Sequence, residues 1–185
     1  MPMAATKAWT IDELHSLPDD GNKYELVHGE LFVTPAPSVS HEAILARLAR
    51  LLEPYVAEHG LGYVLRPRAV IRHGDSEVEP DLMVRAIPND NLAWDALPVP
   101  ILVVEVASPS TRRRNREQKR QFYRDIGVPE YWIADREGAS ITVMGPSRAD
   151  AIETESLTWA PAGASAPLVV DVPWVLLGRL SKRDT

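Results

Sequence analysis

The amino-acid sequence predicts an α/β (α+β) fold in which a β-sheet lies between helices. Two segments, residues 40–56 and 111–126, carry apolar residues at helical spacing. Short segments around them alternate apolar and polar residues, and residues 101–106 form a continuous apolar run interrupted only by Glu105. The predicted order is a hairpin, a helix, three strands, a helix and two strands, which is typical of a sheet covered by helices.

Capping and turn residues predict the first elements. Thr10 is a helix-capping residue with an acid, Glu13, three residues later, so a short helix is expected at this position. The dipeptide His28-Gly29 is typical of a tight turn, and apolar residues alternate on both sides of it. Residues 24–33 are therefore predicted to form a β-hairpin.

The remaining elements follow from periodicity and from helix-ending residues. The long helix is predicted to have Ser40 as its N-cap and to end or kink at Pro54. Alternation in residues 61–72 and 78–84 predicts two strands. The second helix is predicted to end at Gly127. The last two predicted strands are residues 131–134 and 139–144.

Composition limits the class of protein. The chain has 185 residues, 45% hydrophobic and 25% charged, so we expect a single domain over 1–185 with its core at about 10–180. Because cysteine is absent, disulfides and cysteine nucleophiles are excluded, and a metal must be held by oxygen or imidazole. The net charge of −6 argues against bulk electrostatic binding of nucleic acid but permits a local basic patch.

The sequence contains no sign of a membrane segment or a secretion signal. No stretch approaches the roughly 20 apolar residues that a membrane helix needs. The N-terminal region has the charged residues Lys7, Asp12 and Glu13 where a signal peptide would have an apolar core. We therefore expect a cytoplasmic protein without membrane contact.

Two carboxylates are the most informative residues. Glu105 lies within the apolar run, where an uncompensated carboxylate would destabilise the fold or take up a proton. Asp81 raises the same question, because period two places Leu82 and Val84 on the opposite face of their strand. Such a pair of acids on adjacent buried strands is typical of a site for a hard cation such as Mg²⁺. A lysine or a network of donors would also compensate them.

Lys119 lies on the core-facing stripe of the second helix. Phe122, Tyr123 and Ile126 follow it by three, four and seven residues, and a lysine on that stripe needs an acid. An Asp, a Glu and a Lys at one end of a sheet suit hydrolysis of a phosphodiester, with the lysine orienting the nucleophile or stabilising the phosphorane. Each residue alone is more often structural, the acid in an ion pair and the lysine in solvent.

Further candidate residues surround these three. Glu25 could join the acids, and His41 could contact a substrate phosphate, although both residue types are often structural in such positions. In the segment 112–120, one acid stands among six basic residues. This segment could grip a phosphate backbone or form a solvated helix face. Its candidate nucleic-acid-binding residues are Arg112, Arg113, Arg114 and Arg116.

Several motifs together resemble a known family. In chain order they are YELVHGEL at 24–31, SH at 40–41, EPDL at 79–82, VVEVASPST at 103–111, Lys119, Tyr123 and GVPEYWIAD at 127–135. Over roughly residues 10–180 the sequence is similar to the Uma-two family of restriction-endonuclease-like proteins, which belongs to the PD-(D/E)XK nuclease superfamily. The resemblance implies a restriction-endonuclease-like central mixed β-sheet flanked by helices.

The resemblance also implies roles for individual residues. The implied ligands of Mg²⁺, for which Mn²⁺ would substitute, are Asp81, Glu105 and the carbonyl of Val106. The superfamily lysine usually lies two residues after the glutamate, where this chain has Ala107. The resemblance therefore assigns that role to Lys119 on the following helix, with Glu25 completing the catalytic residues.

Two functions stay open at this point. One is a metal-dependent DNA endonuclease that hydrolyses phosphodiester bonds with a Mg²⁺-bound water. The other is a catalytically inactive nuclease fold that binds nucleic acid or protein. The negative net charge and Asn115, where the family usually has an aspartate, favour the second. Duplex cleavage would be easiest for a homodimer, and the apolar residues 168–177 could form its interface or close the core.

Overall fold

The computed structural model describes residues 7–108, 115–146 and 148–179, with the backbone alone at 115, 116 and 148. The helices in these residues are α1 (Ile11–His15), α2 (Val39–Glu58), α3 (Arg120–Asp125) and α4 (Val172–Leu177), with a 3₁₀ turn at Trp94–Ala96 and a π-helical turn at Asn115–Lys119. The strands are β1 (Lys23–Val27), β2 (Glu30–Thr34), β3 (Tyr63–Leu65), β4 (Ile71–His73), β5 (Ser76–Val78), β6 (Leu82–Arg85), β7 (Leu102–Val106), β8 (Tyr131–Asp135), β9 (Ser140–Gly145), β10 (Arg148–Glu153), β11 (Ser156–Trp159) and β12 (Leu168–Asp171).

The described strands form a larger mixed sheet, a smaller antiparallel sheet and a hairpin. The larger sheet has the order β10-β9-β8-β7-β6-β3, in which β7 and β8 are parallel and the other neighbours antiparallel. The smaller sheet has the order β2-β1-β5-β4, and β11 pairs with β12. Because parallel strands need a crossover, the chain between β7 and β8 passes through α3. A mixed sheet between helices confirms the predicted fold class.

Strand alternation sorts the core into two layers. Val104 and Val106 of β7 pack with α2 and α4 on one face of the larger sheet. Val103, on the opposite face of the same strand, packs with α3 and the smaller sheet. Period two therefore places Glu105 on the face that α3 and the smaller sheet cover.

The helix α2 differs from its prediction at its start and near its end. Its N-cap is Ser38, not Ser40, and the Ser38 hydroxyl accepts a hydrogen bond from the backbone N–H of His41 at 3.3 Å. The predicted end at Pro54 is wrong, since the helix continues to Glu58. Pro54 is exposed while its neighbours in the apolar stripe are buried. Burial of that stripe therefore outweighs the hydrogen bond that proline cannot donate.

The two strands predicted for residues 61–72 and 78–84 are four strands in two sheets. Pro67 lies between β3 and β4, and Pro80 lies between β5 and β6. Proline has no N–H to give to a ladder, so each strand ends there and the chain changes sheets. The second change leaves Glu79 next to the smaller sheet and places Asp81 directly before β6 of the larger one.

The hairpin prediction is confirmed, with β1 and β2 paired from Lys23 to Thr34. Its turn residues His28 and Gly29 have φ of +50° and +78°, the left-handed values that a two-residue hairpin turn needs. The strands predicted near residues 131–134 and 139–144 are present as β8 and β9. The apolar residues 168–177 form β12 and α4, and their buried side chains belong to the core on the α2 face of the larger sheet.

The second predicted helix is described from residue 115 onward, and its predicted first turn, 111–114, lies outside the described residues. The described part begins as a π-helical turn and continues as α3 to Asp125. Gly127 follows with φ of +83°, as a helix-ending glycine should. None of the described helices combines the length and the apolar character needed to cross a membrane.

Replacing Pro54 with alanine should stabilise the protein. Alanine restores an intrahelical hydrogen bond at an exposed position, so the free energy of unfolding should rise by about 1–3 kcal/mol in urea denaturation. Pro54→Gly is the matched control, and its gain should be about 1 kcal/mol smaller because glycine disfavours helix. An alanine variant no more stable than the parent would contradict this account of α2.

Candidate active site

Asp81 and Glu105 lie opposite each other at one end of the larger sheet. The antiparallel register of β6 and β7 pairs Leu82 with Val104. One further step along both strands places Asp81 opposite Glu105. The two residues are 5% and 2% exposed. The juxtaposition of two buried acids that the sequence predicts is therefore present.

Lys119 joins two buried carboxylates. Its Nζ donates a hydrogen bond of 2.7 Å to Oε1 of Glu25 and another of 2.7 Å to Oε1 of Glu105. The hydroxyl of Tyr123 donates to the same Glu105 oxygen at 2.9 Å. Lys119 and Tyr123 are one helical turn apart on the inward stripe, and Lys119 is 0% exposed. The helix thus supplies two donors to one carboxylate.

Glu25 links this cluster to the loop that carries Asp81. Its Oε1 accepts the backbone N–H of Glu79 at 2.9 Å in addition to the Lys119 ammonium. Glu25 lies on β1 and Glu79 follows β5, its neighbour in the smaller sheet. One carboxylate oxygen therefore ties together β1, the loop after β5 and the π-helical turn.

Asp81 has different partners on its two oxygens. Oδ2 accepts the backbone N–H of Val106 at 2.8 Å and lies 3.0 Å from Nε2 of His41. Oδ1 accepts a hydrogen bond from Nζ of Lys23 at 2.9 Å, and the same ammonium donates to the carbonyl of Glu79 at 3.0 Å. His41, predicted as a phosphate contact, thus lies against the acid itself.

Lys23 was not predicted from the sequence. The signal that could have identified it is period two along β1, which places Lys23 on the same face as Glu25. Its partner Asp81 is 58 residues away in the chain. A lysine at the start of a strand is usually solvated, so this local signal has little weight without the fold.

The two acids of the pair have opposite pKa shifts. Burial raises the pKa of Glu105, the charges of Asp81 and Glu25 act in the same direction, and Lys119 opposes them. Burial would also raise the pKa of Asp81, but the charge of Lys23 and the hydrogen bond from His41 hold it well below its usual range. Asp81 is therefore the firmly ionised member.

These side chains adjoin an open cavity of about 1040 Å³. Its wall includes Lys23, His41, Glu79, Asp81, Glu105 and Arg136. Lys119 and Glu25 do not belong to the wall, because they lie behind Glu105 in the protein interior. The predicted nucleic-acid-binding residues Arg112, Arg113 and Arg114 lie outside the described residues, and the side chain of Arg116 does as well.

The donor atoms fit a magnesium ion. Among the described residues, both hydrogen bonds to Glu105 go to Oε1, so Oε2 is the oxygen left for a ligand in the cavity. No group of three or more His, Asp or Glu residues in the described ranges is arranged to hold a metal. Mg²⁺ commonly binds through one or two carboxylates and keeps several waters. Asp81, Glu105 and the carbonyl of Val106 would be the ligands.

Comparisons with known proteins agree with this architecture. Residues 11–172 match the model of the Uma2 family, which is described as "Putative restriction endonuclease". A Synechocystis sp. PCC 6803 protein, "Uncharacterized protein sll1609", is 30% identical over 142 residues, which cover 74% of this chain and 80% of the relative.

A solved structure has the same fold. It is the crystal structure of "a putative nuclease belonging to DUF820" from Anabaena variabilis, with a TM-score of 0.77 and 21% sequence identity. The alignment covers 90% of this chain and 97% of that one. Since the family match spans most of the sequence, the conclusion is that this chain belongs to the Uma2 family of restriction-endonuclease-like proteins.

Proposed function

We propose that this protein is a Mg²⁺-dependent DNA endonuclease, with Mn²⁺ as a substitute for Mg²⁺. The observation that carries the proposal is the placement of Asp81 opposite Glu105 at a cavity wall, with Lys119 bridging Glu105 to Glu25. Membership of a family whose description is "Putative restriction endonuclease" supports DNA as the substrate.

The carboxylates supply what a phosphodiester hydrolase needs from its protein. Oδ1 of Asp81 and Oε2 of Glu105 would bind the ion together with the carbonyl of Val106. Bound Mg²⁺ would lower the pKa of a coordinated water and neutralise charge on the phosphoryl group. The backbone N–H of Val106 and the ring of His41 hold Oδ2 of Asp81, so the orientation of that carboxylate is set by the protein.

Lys119 acts in this proposal as a positioning residue. The sequence led us to expect that Lys119 orients the nucleophile or stabilises the phosphorane, but its ammonium is enclosed by Glu25 and Glu105 and lies off the cavity wall. Its contribution is to fix Oε1 of Glu105 and to neutralise part of the buried negative charge. Glu25 in turn holds Lys119 and the loop at Glu79.

The cavity wall carries basic side chains among its acids, and these could face a DNA backbone, although Arg66 pairs with Glu53 and Arg68 with Asp19. Arg66, Arg68 and Arg136 belong to the wall in addition to Lys23 and His41. Lys and Arg contacts to phosphates set the position of a protein on a duplex. In this proposal they share the role that the sequence gave to the arginines after residue 111.

A specific observation also favours the second function, a nuclease fold that binds without cutting. Lys23 engages Oδ1 of Asp81, the oxygen that a metal would need. Titration calorimetry with Mg²⁺ separates the two functions. The endonuclease proposal predicts binding heat that Asp81→Asn abolishes, whereas a binding-only protein gives no heat that depends on Asp81.

The endonuclease proposal predicts that the purified protein nicks or linearises supercoiled plasmid with Mg²⁺ but not with EDTA. Glu105→Gln should lower the rate by about 10²–10³, the loss expected for one electrostatic stabiliser, while still accepting hydrogen bonds from Lys119 and Tyr123. Glu58→Gln, an equal change at an exposed position of α2, should cut like the parent. Equal rates for the Glu105 variant and the parent would refute the assignment.

Lys119→Met should destabilise the protein by about 3–5 kcal/mol in urea denaturation, since it leaves two buried carboxylates without their cation. Adding Glu25→Gln removes one of those charges and should restore part of the stability. Cleavage by the double variant should stay low, because Glu105 keeps the hydrogen bond from Tyr123 but still lacks the one from Lys119. Recovery of cleavage together with stability would show that Lys119 has a structural role only.

A further inference from the structure

The site contains two ammonium groups with very different access to the cavity. Lys119 is 0% exposed and is enclosed by Glu25 and Glu105. The side chain of Lys23 is 16% exposed and forms part of the cavity wall. A molecule entering the cavity can therefore meet the ammonium of Lys23 but not that of Lys119.

The contact of Lys23 with Asp81 is not what orients the acid. Oδ2 of Asp81 is fixed by the backbone N–H of Val106 at 2.8 Å and by Nε2 of His41 at 3.0 Å. Among the described residues, the partner of Oδ1 is the ammonium of Lys23. Removing that ammonium would leave the carboxylate in place with one oxygen open.

A divalent cation and an ammonium compete for this oxygen. Both are attracted to Oδ1 by their positive charge, and two cations in contact with the same oxygen repel each other strongly. The backbone of Lys23 is held by its pairing with Thr34, but the side chain is a flexible four-carbon stem at the cavity. Moving the ammonium away from Asp81 would break its hydrogen bonds to Oδ1 of Asp81 and to the carbonyl of Glu79, while β1 stays in place.

We propose that Lys23 is a second functional lysine of this site, which occupies Oδ1 of Asp81 in the metal-free protein and contacts a DNA phosphate when a divalent cation takes that oxygen. This inference rests on the proposed endonuclease function and names the residue that meets the substrate. The ammonium of Lys23 then pairs with a carboxylate in the metal-free protein and with a phosphate in the metal-bound protein.

The test measures metal binding and cleavage separately in Lys23→Met. Titration calorimetry with Mg²⁺ should show affinity about tenfold higher than the parent, because a competing positive charge has been removed from the ligand. Cleavage of supercoiled plasmid at saturating Mg²⁺ should fall by about 10²–10³, because the phosphate has lost a charged contact. A merely structural lysine would change both quantities in the same direction.

A charge-conserving variant and a control variant complete the design. Lys23→Arg keeps the positive charge and should bind Mg²⁺ with an affinity close to that of the parent. Lys7→Met removes a lysine that pairs with Glu13 and lies off the cavity wall, and it should leave both quantities unchanged. If Lys23→Met fails to fold in circular dichroism, Lys23→Gln replaces it, since glutamine keeps a donor without the charge.

The outcomes separate this inference from the proposed function. A parent protein that binds Mg²⁺ and cuts, with a Lys23→Met variant that binds Mg²⁺ no tighter or cuts equally fast, overturns the role of Lys23 alone. A parent protein that neither binds Mg²⁺ nor cuts overturns the endonuclease proposal and this inference with it. Tighter metal binding combined with slower cleavage supports the assignment.

Discussion

The structure of the site depends on one buried ammonium group. Lys119 is held between Glu25 and Glu105, and all three side chains are almost completely inaccessible to water. Two carboxylates and one ammonium leave an excess of negative charge in the interior. Burial raises the pKa of Glu105, and the neighbouring negative charges raise it further. Removing the ammonium would leave two buried carboxylates without the cation that lies between them. The remaining negative charge is what a cation at the cavity would neutralise.

Two of the site's side chains, Asp81 and Lys119, lie where regular secondary structure is interrupted. Pro80 ends β5 and transfers the chain to β6, so Asp81 arrives at the end of the larger sheet while Glu79 stays bonded to Glu25 of the smaller one. The π-helical turn that ends at Lys119 places the ammonium between Glu25 and Glu105. Such turns are frequent at functional sites. Irregular segments, held by two sheets, therefore set the geometry.

A feature of the fold or the site could be predicted when the sequence pattern that indicates it lies within a few residues. Glu105 was found from its apolar run, Asp81 from strand alternation and Lys119 from helix spacing, and each pattern lies within a few residues of its own position. The division of strands between two sheets could not be found this way, because alternation looks the same in either sheet. The contact of Lys23 with Asp81 spans 58 residues and depends on that division.

The contrast between the two lysines follows from burial and not from distance along the chain. Lys119 has two carboxylate partners and no access to the cavity, so moving its ammonium away would leave both buried carboxylates without it. Lys23 donates to one carboxylate and to the carbonyl of Glu79 from the cavity wall, and the other oxygen of Asp81 has its own partners, the backbone N–H of Val106 and the ring of His41. An ammonium can act on a substrate only where the substrate can reach it. In this site the strand lysine lies at the cavity wall, while the helix lysine is the one that helical spacing in the sequence identifies.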